Sequence, residues 1–264
     1  MFDYHVHTHY SADCHEPVAS QLDAAVKAGL KGLCFTDHVD FDLLVNGGPR
    51  FEPADLNALR RELDSLTPLY PGLTVRRGAE VALADAACSE AAYEHIKSAE
   101  LDFVIGSLHM LRGLNVYYSE FFEGRTRDEA YCDYLEGLRR VIRTCPYFCA
   151  MGHYDFVAKN APYQERGISF SLAPHAFDDI FTYLIQNGKT LELNTSAWKT
   201  DAPWGLDVFT RFRELGGEFV TVGSDAHNPG RVAKRFDEAY GLLRAAGIRY
   251  VATYEKMKPT MHKI

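Results

Sequence analysis

The 264-residue chain has no CxxC pair, no glycine-rich GxGxxG turn, no cluster of basic residues and no low-complexity tract. It also lacks any apolar run near the ~20 residues that span a bilayer. Each absence removes a class of protein. Without GxGxxG after the first β-rich run, the usual dinucleotide-binding reading falls away. Lys and Arg number 28 against 36 Asp and Glu, a formal charge of −8. A surface that grips a nucleic-acid polymer needs clustered cations instead. The start, Met1-Phe2-Asp3-Tyr4-His5, has no basic segment leading into an apolar one, so a secretory signal is not expected. Six scattered cysteines (Cys14, Cys34, Cys88, Cys132, Cys145, Cys149) then read as reduced thiols. The expectation is a cytoplasmic protein with no membrane partner.

Apolar residues make up 47% and charged residues 24%, an ordinary globular balance. Histidine is the exception, with 11 copies against 5 methionines and 2 tryptophans. No linker or internal repeat divides the chain, so residues 1–264 read as one domain. Short β-rich runs at 2–6, 33–36, 73–81, 101–105, 147–150, 190–193 and 218–222 alternate with longer helical patterns. Those patterns cover 17–28, 53–66, 87–98, 127–143, 173–186, 205–215 and 231–246. Gly29, Gly188, Gly216 and Gly247 stand where helices should stop, and Pro53 and Pro174 where two should start. Seven such alternations predict an α/β fold with parallel strands, either an open doubly wound sheet or a closed barrel.

Acids and histidines fall at the ends of these runs, where barrel enzymes build their sites. The first run ends in His5-Val6-His7, with Asp13 and His15 in the following loop, and the second in Thr36-Asp37-His38. Glu80, His109 and His153-Tyr154-Asp155 mark the third, fourth and fifth. The sixth carries Glu192-Leu193-Asn194-Thr195-Ser196, offering polar groups, and the seventh Ser224-Asp225-Ala226-His227. Side chains two apart on a strand share a face, so His5 and His7 can grip one ion, and Asp225 and His227 repeat that arrangement. Imidazole mixed with carboxylate suits Zn, Mn or Fe. So many ligand-type residues exceed the needs of one metal. His95 and His175 lie in helical patterns, His262 in the tail and His9 in a loop, outside this set.

Four of these motifs in this order, His5-x-His7 with Ser11 and Asp13, Thr36-Asp37-His38, Glu80, and Ser224-Asp225-Ala226-His227, resemble the polymerase-and-histidinol-phosphatase (PHP) family. His109 and His153 also match, as do Phe122-Glu123-Gly124-Arg125 with Ala130-Tyr131 and the segment 250–259. Within the family the likeness is to the monofunctional histidinol-phosphate phosphatases. The resemblance implies a distorted seven-stranded (β/α) barrel, TIM-like, with its site at the C-terminal strand ends, holding three divalent ions. His5, His7, Glu80 and Asp225 would hold the first; Glu80 would bridge to a second completed by His109 and His153. Asp13, His38 and His227 would hold the third, with His15 the alternative to Asp13. The implied reaction is hydrolysis of a small phosphorylated metabolite, L-histidinol phosphate foremost, by hydroxide generated on the ions, with Glu80, Asp225 and His227 at the catalytic centre. Asp155 ranks behind water as a proton donor to the leaving group.

Lys159, Lys199 and Arg125 are the cations expected to meet the phosphate, at points where the family favours arginine for the first two. That departure bears on the substrate rather than on the reaction. Against three carboxylates, three divalent ions would leave a pocket of about +3 inside an acidic chain. Alternative readings are a phosphoesterase acting on nucleotides or other small phosphates, and a non-catalytic metal-binding module. An amidohydrolase also begins with HxH but would normally carry a lysine where Glu80 stands.

Overall fold

The computed structural model describes residues 1–41 and 52–264. The described residues form a ten-stranded, mostly parallel sheet with seven helices, an α/β architecture. The seven strands anticipated from the β-rich runs are all present: β1 (Phe2–Val6), β2 (Gly32–Phe35), β4 (Thr74–Ala82), β5 (Phe103–Ser107), β8 (Ala150–Met151), β9 (Thr190–Asn194) and β10 (Phe219–Gly223). They pair in that order, each parallel to the next. Most are buried along their length, as parallel strands covered by helices must be, and this explains their apolar runs. Beyond β10 the chain meets β1 again: Val6 and Ala226 form a parallel bridge, with His7 N donating to Ala226 O at 3.0 Å.

Three additions were not anticipated. The two-residue strand β3 (His38–Val39) carries the chain past β2 and lies beside β4, placing His38 opposite Glu80. A small hairpin, β6 (Met110–Leu111) with β7 (Leu114–Asn115), follows β5. The C-terminal residues fold as β11 (Tyr250–Glu255) and β12 (Lys258–Lys263), an antiparallel hairpin whose first strand runs alongside the start of β10. Tyr254 N donates to Tyr4 Oη at 3.0 Å, fixing that hairpin to β1 over a buried cluster that includes Cys34, Phe103 and Cys149.

The helices are α1 (Val18–Lys27), α2 (Leu56–Leu66), α3 (Ala86–Ile96), α4 (Arg127–Val141), α5 (Pro174–Gln186), α6 (Leu206–Glu214) and α7 (Phe236–Ala245). No described helix is long and apolar enough to cross a membrane. Gly29, Gly188, Gly216 and Gly247 all adopt positive φ where four helices stop, as anticipated. Two starts moved. Pro53 lies before α2, because Asp55 takes the capping position and accepts from Ala58 N at 2.9 Å. The pattern at 231–246 begins only at Phe236, since Ala233 and Arg235 have positive φ that no helix tolerates.

Candidate metal centre

β1 sends its two histidines to the same side, and their Nε2 atoms lie 3.1 Å apart. Two imidazoles that close cannot both be charged. Burial, then the facing rings of His227 and His38, hold His7 well below its ordinary pKa, leaving it neutral with a lone pair to give. Burial opposes charge on His5 too, but Glu192, Glu80 and Asp225 outweigh it and raise its pKa well above the usual value. One point in the site thus attracts positive charge.

Glu80, near the middle of the group, divides its carboxylate between two sets of histidines. Its Oε2 lies 3.1 Å from His38 Nδ1, 3.2 Å from His5 Nε2 and 3.5 Å from His7 Nε2. Its Oε1 lies 2.7 Å from His153 Nε2 and 3.3 Å from His109 Nε2, and accepts from Ser107 Oγ at 2.6 Å. Burial alone would raise this carboxyl, yet His5, His109 and His38 hold it well below the carboxylate range. Asp225 sits at φ +51, a strained backbone of the kind found at functional sites. Its Oδ1 reaches His7 at 3.3 Å and His227 at 3.4 Å, while Oδ2 accepts from Lys159 Nζ at 2.6 Å and Ser196 Oγ at 2.9 Å. Asp13 Oδ2 closes the outer side, 3.2 Å from His227 Nε2 and 3.7 Å from His38 Nε2. The nine side chains named from the strand ends and the first loop therefore meet in one place. His15 is exposed, and none of the hydrogen bonds or ion pairs described within the site involves it.

Further acids behind this group aim the rings; the sequence motifs include Glu192 and Asp37 without this role, and Asp40 went unnoticed. Glu192 Oε1 accepts from His5 Nδ1 at 2.7 Å, and its Oε2 accepts from His153 N at 2.9 Å. Asp40 accepts from His109 Nδ1 at 2.7 Å. Asp37 accepts from Ser11 Oγ at 2.7 Å, and Ser11 in turn lies 3.1 Å from His7 Nδ1. A carboxylate on the far nitrogen fixes the tautomer and makes the near one a better ligand. Gly223 leaves room for this: a Cβ there would overlap Glu192 Oε1 and His5 Cβ. Glu192→Gln is expected to weaken metal affinity about 10–100-fold, read by competition with a chelator; unchanged affinity would remove Glu192 from the positioning role.

The group opens into a cavity of about 410 Å³. Tyr117, Tyr118 and Phe156 line it together with Lys159, Arg231 and several of the acids and histidines above. Of the three cations expected at the phosphate, only Lys159 is on this wall. Lys199 lies outside the lining, its Nζ 3.5 Å from Asn160 Oδ1. Arg125 is also outside, turned to Asp133 at 3.2 Å and stacked over Phe121 at 4.8 Å. Asp155 is buried, not on the cavity wall, and accepts from Trp204 Nε1 at 2.7 Å.

These residues fit divalent metal. Among the described residues, Glu80 Oε2, His38 Nδ1 and His153 Nδ1 are buried without a hydrogen-bond partner. Orphaned buried polar atoms are costly, and Glu80 Oε2 is orphaned within 3.5 Å of three ring nitrogens, as lone pairs aimed at a shared cation would be. Four overlapping triads have ligand atoms close enough to share an ion: His7, His38 and His227; His5, His153 and Asp225; His5, His7 and Glu80; His38, Glu80 and His109.

Comparison with known proteins agrees with this geometry. A family model for the PHP domain matches residues 3–196. Histidinol-phosphatase from Lactococcus lactis is 31% identical over 99% of this chain and 97% of that protein. A probable histidinol-phosphatase from Deinococcus radiodurans is 30% identical over 98% of this chain and 99% of its own length. The crystal structure of histidinol phosphate phosphatase from L. lactis, complexed with zinc, L-histidinol and phosphate, matches with a TM-score of 0.90 and 30% identity, covering 98% of each chain. With the motifs, the converging side chains and these likenesses in agreement, the chain belongs to the PHP family.

Proposed function

We propose that this protein is a metal-dependent phosphoric monoester hydrolase that releases phosphate from L-histidinol phosphate. The observation that carries the reading is the Glu80 carboxylate, divided between His5 and His7 on one side and His109 and His153 on the other. That arrangement favours three ions: the first on His5, His7, Glu80 and Asp225, the second on Glu80, His109 and His153, and the third on Asp13, His38 and His227. The approach of Asp13 Oδ2 to His227 Nε2 at 3.2 Å and to His38 Nε2 at 3.7 Å favours Asp13 over His15 as the outer ligand. Residues 1–264 act here as a single domain, and the Val6–Ala226 bridge supports closure of the seven parallel strands into a distorted barrel with these groups at its C-terminal mouth.

Divalent ions, when bound, supply Lewis-acid charge that brings the pKa of water to about 7 and offsets charge on phosphate oxygens. The rest falls to the chain itself. Glu80 holds the two halves of the group in register, and Asp225 links them to Lys159. The Lys159 ammonium, tied to Asp225 Oδ2 at 2.6 Å, offers a point charge on the cavity wall to a phosphate oxygen. Tyr117 lies over Phe156 with ring centroids 6.1 Å apart, an aromatic wall against which the imidazole of histidinol can rest. Burial pushes the Asp155 carboxyl up to about 7, but its bond to Trp204 and its place off the wall leave protonation of the leaving alkoxide to solvent.

The test is phosphate release by metal-loaded protein from L-histidinol phosphate, a mononucleotide set and a sugar-phosphate set. The highest kcat/KM is expected for L-histidinol phosphate. Preference for another small phosphate would overturn the substrate and keep the reaction; no release from any would overturn both.

A further inference from the structure

We propose that Arg231 is the residue that grips the substrate's phosphate through paired hydrogen bonds, an inference that rests on the phosphomonoesterase reading above. Arg231 is the one arginine among the described residues that lines the cavity, on the same wall as Lys159, Asp225 and His227. The described residues show no ion pair between it and a carboxylate, and one guanidinium nitrogen, Nη2, donates to Ser196 O at 3.3 Å. The remaining donors of the guanidinium stay available for a ligand. The other cavity cation is already engaged: Lys159 is bound to Asp225. Lys199 lies off the wall, at a strained φ of +44. A phosphate entering this cavity therefore finds point charge from Lys159 and a planar pair of donors only from Arg231.

The backbone holds Arg231 in place beforehand. It sits in a short turn, Pro229–Arg231, that begins two residues after His227. Two residues further on, Ala233 N donates to Asp3 Oδ2 at 2.9 Å. The same buried Asp3 accepts from Ser224 N at 2.9 Å and Ser224 Oγ at 2.6 Å, so one carboxylate fixes both ends of the segment 224–233. Arg235 then donates to Asp201 O at 2.7 Å and Lys199 O at 3.3 Å, fastening the segment to the loop after β9. A cation preorganised in this way loses little on meeting its anion. Burial, and then the charges of Arg166, Lys159 and Arg231, lower the pKa of Lys199.

Arg231→Gln and Arg231→Lys in metal-loaded protein test this. Two quantities are read: the Kd for inorganic phosphate by calorimetry, and the kcat and KM split on L-histidinol phosphate. Arg231→Gln is expected to raise both Kd and KM about ten- to a hundredfold, the effect of losing charge-assisted bonds. Bound metal should be unchanged and kcat less affected than KM. Arg231→Lys, which keeps the charge and loses the fork, should recover only part of the loss. Unchanged phosphate affinity in both variants would overturn the assignment while leaving the wild-type hydrolase intact. Loss of metal together with affinity would also overturn it, since the residue would then be supporting the ion site. Wild-type protein that binds phosphate without releasing it from any monoester would refute the hydrolase reading alone, with the Kd of the variants still deciding Arg231.

Discussion

Glu80→Gln is expected to lower kcat/KM on the order of 10³-fold, because several kcal/mol of charge stabilisation rest on this carboxylate. The substitution is nearly isosteric, so packing survives and charge is what changes. Glutamine would set an amide NH₂ against either His153 and His109 or against His5, His7 and His38, whichever way it turned. One half of the site would lose its acceptor, and with it an ion. Kinetics on the variant, with metal counted by elemental analysis and the fold checked by circular dichroism, would measure this. Retention of more than a tenth of the activity at full metal load would mean that Glu80 does not join the two halves.

Stripping the metal should have the second large effect, on stability as well as on activity. Without ions the centre packs six histidines and three carboxylates at separations as short as 2.7 Å, with Glu80 Oε2 left without a hydrogen-bond partner. A ligand bound at 100 to 1,000 times its Kd stabilises the folded state by about 2.7–4.1 kcal/mol. For a chain of this size that corresponds to a fall in Tm of roughly 5–15 °C on chelation. Phosphate release should fall to background at the same time and return on adding back Zn or Mn. A Tm that does not move when activity disappears would place the ions on a loosely attached surface site and not in this buried centre.

Much of this site can be read from the sequence because period-two spacing and strand-end position carry direct geometric meaning. His5 and His7 face one way because strand side chains alternate, and Asp225 comes beside them because the Val6–Ala226 bridge joins the first and seventh strands. The supporting acids are less legible. Glu192 acts on a histidine 187 positions away and Asp40 on one 69 positions away, so neither role has a local signature. A usable clue existed: Asp40 stands two residues from His38, a candidate ligand, and Glu192 lies on a strand that otherwise offers no candidate.

Which cations line the cavity is less legible in the sequence, for reasons of backbone and competition. Lys199 leaves the wall through a positive φ that its residue type does not announce. Arg125 was taken by Asp133, eight positions later, once α4 formed. Arg231 looked like the first residue of a helix, and only the left-handed Ala233 and Arg235 free it to form a turn at the cavity. Local pattern brought the candidate metal ligands into view; contacts between loops decided where the cations lie.

The most direct test of the central claim is a metal titration of chelated protein, following phosphate release from L-histidinol phosphate and bound metal in the same samples. Activity rising to its maximum as the third ion binds per chain is the predicted result. Full activity with one ion bound, or with none, would contradict a three-ion centre joined through Glu80.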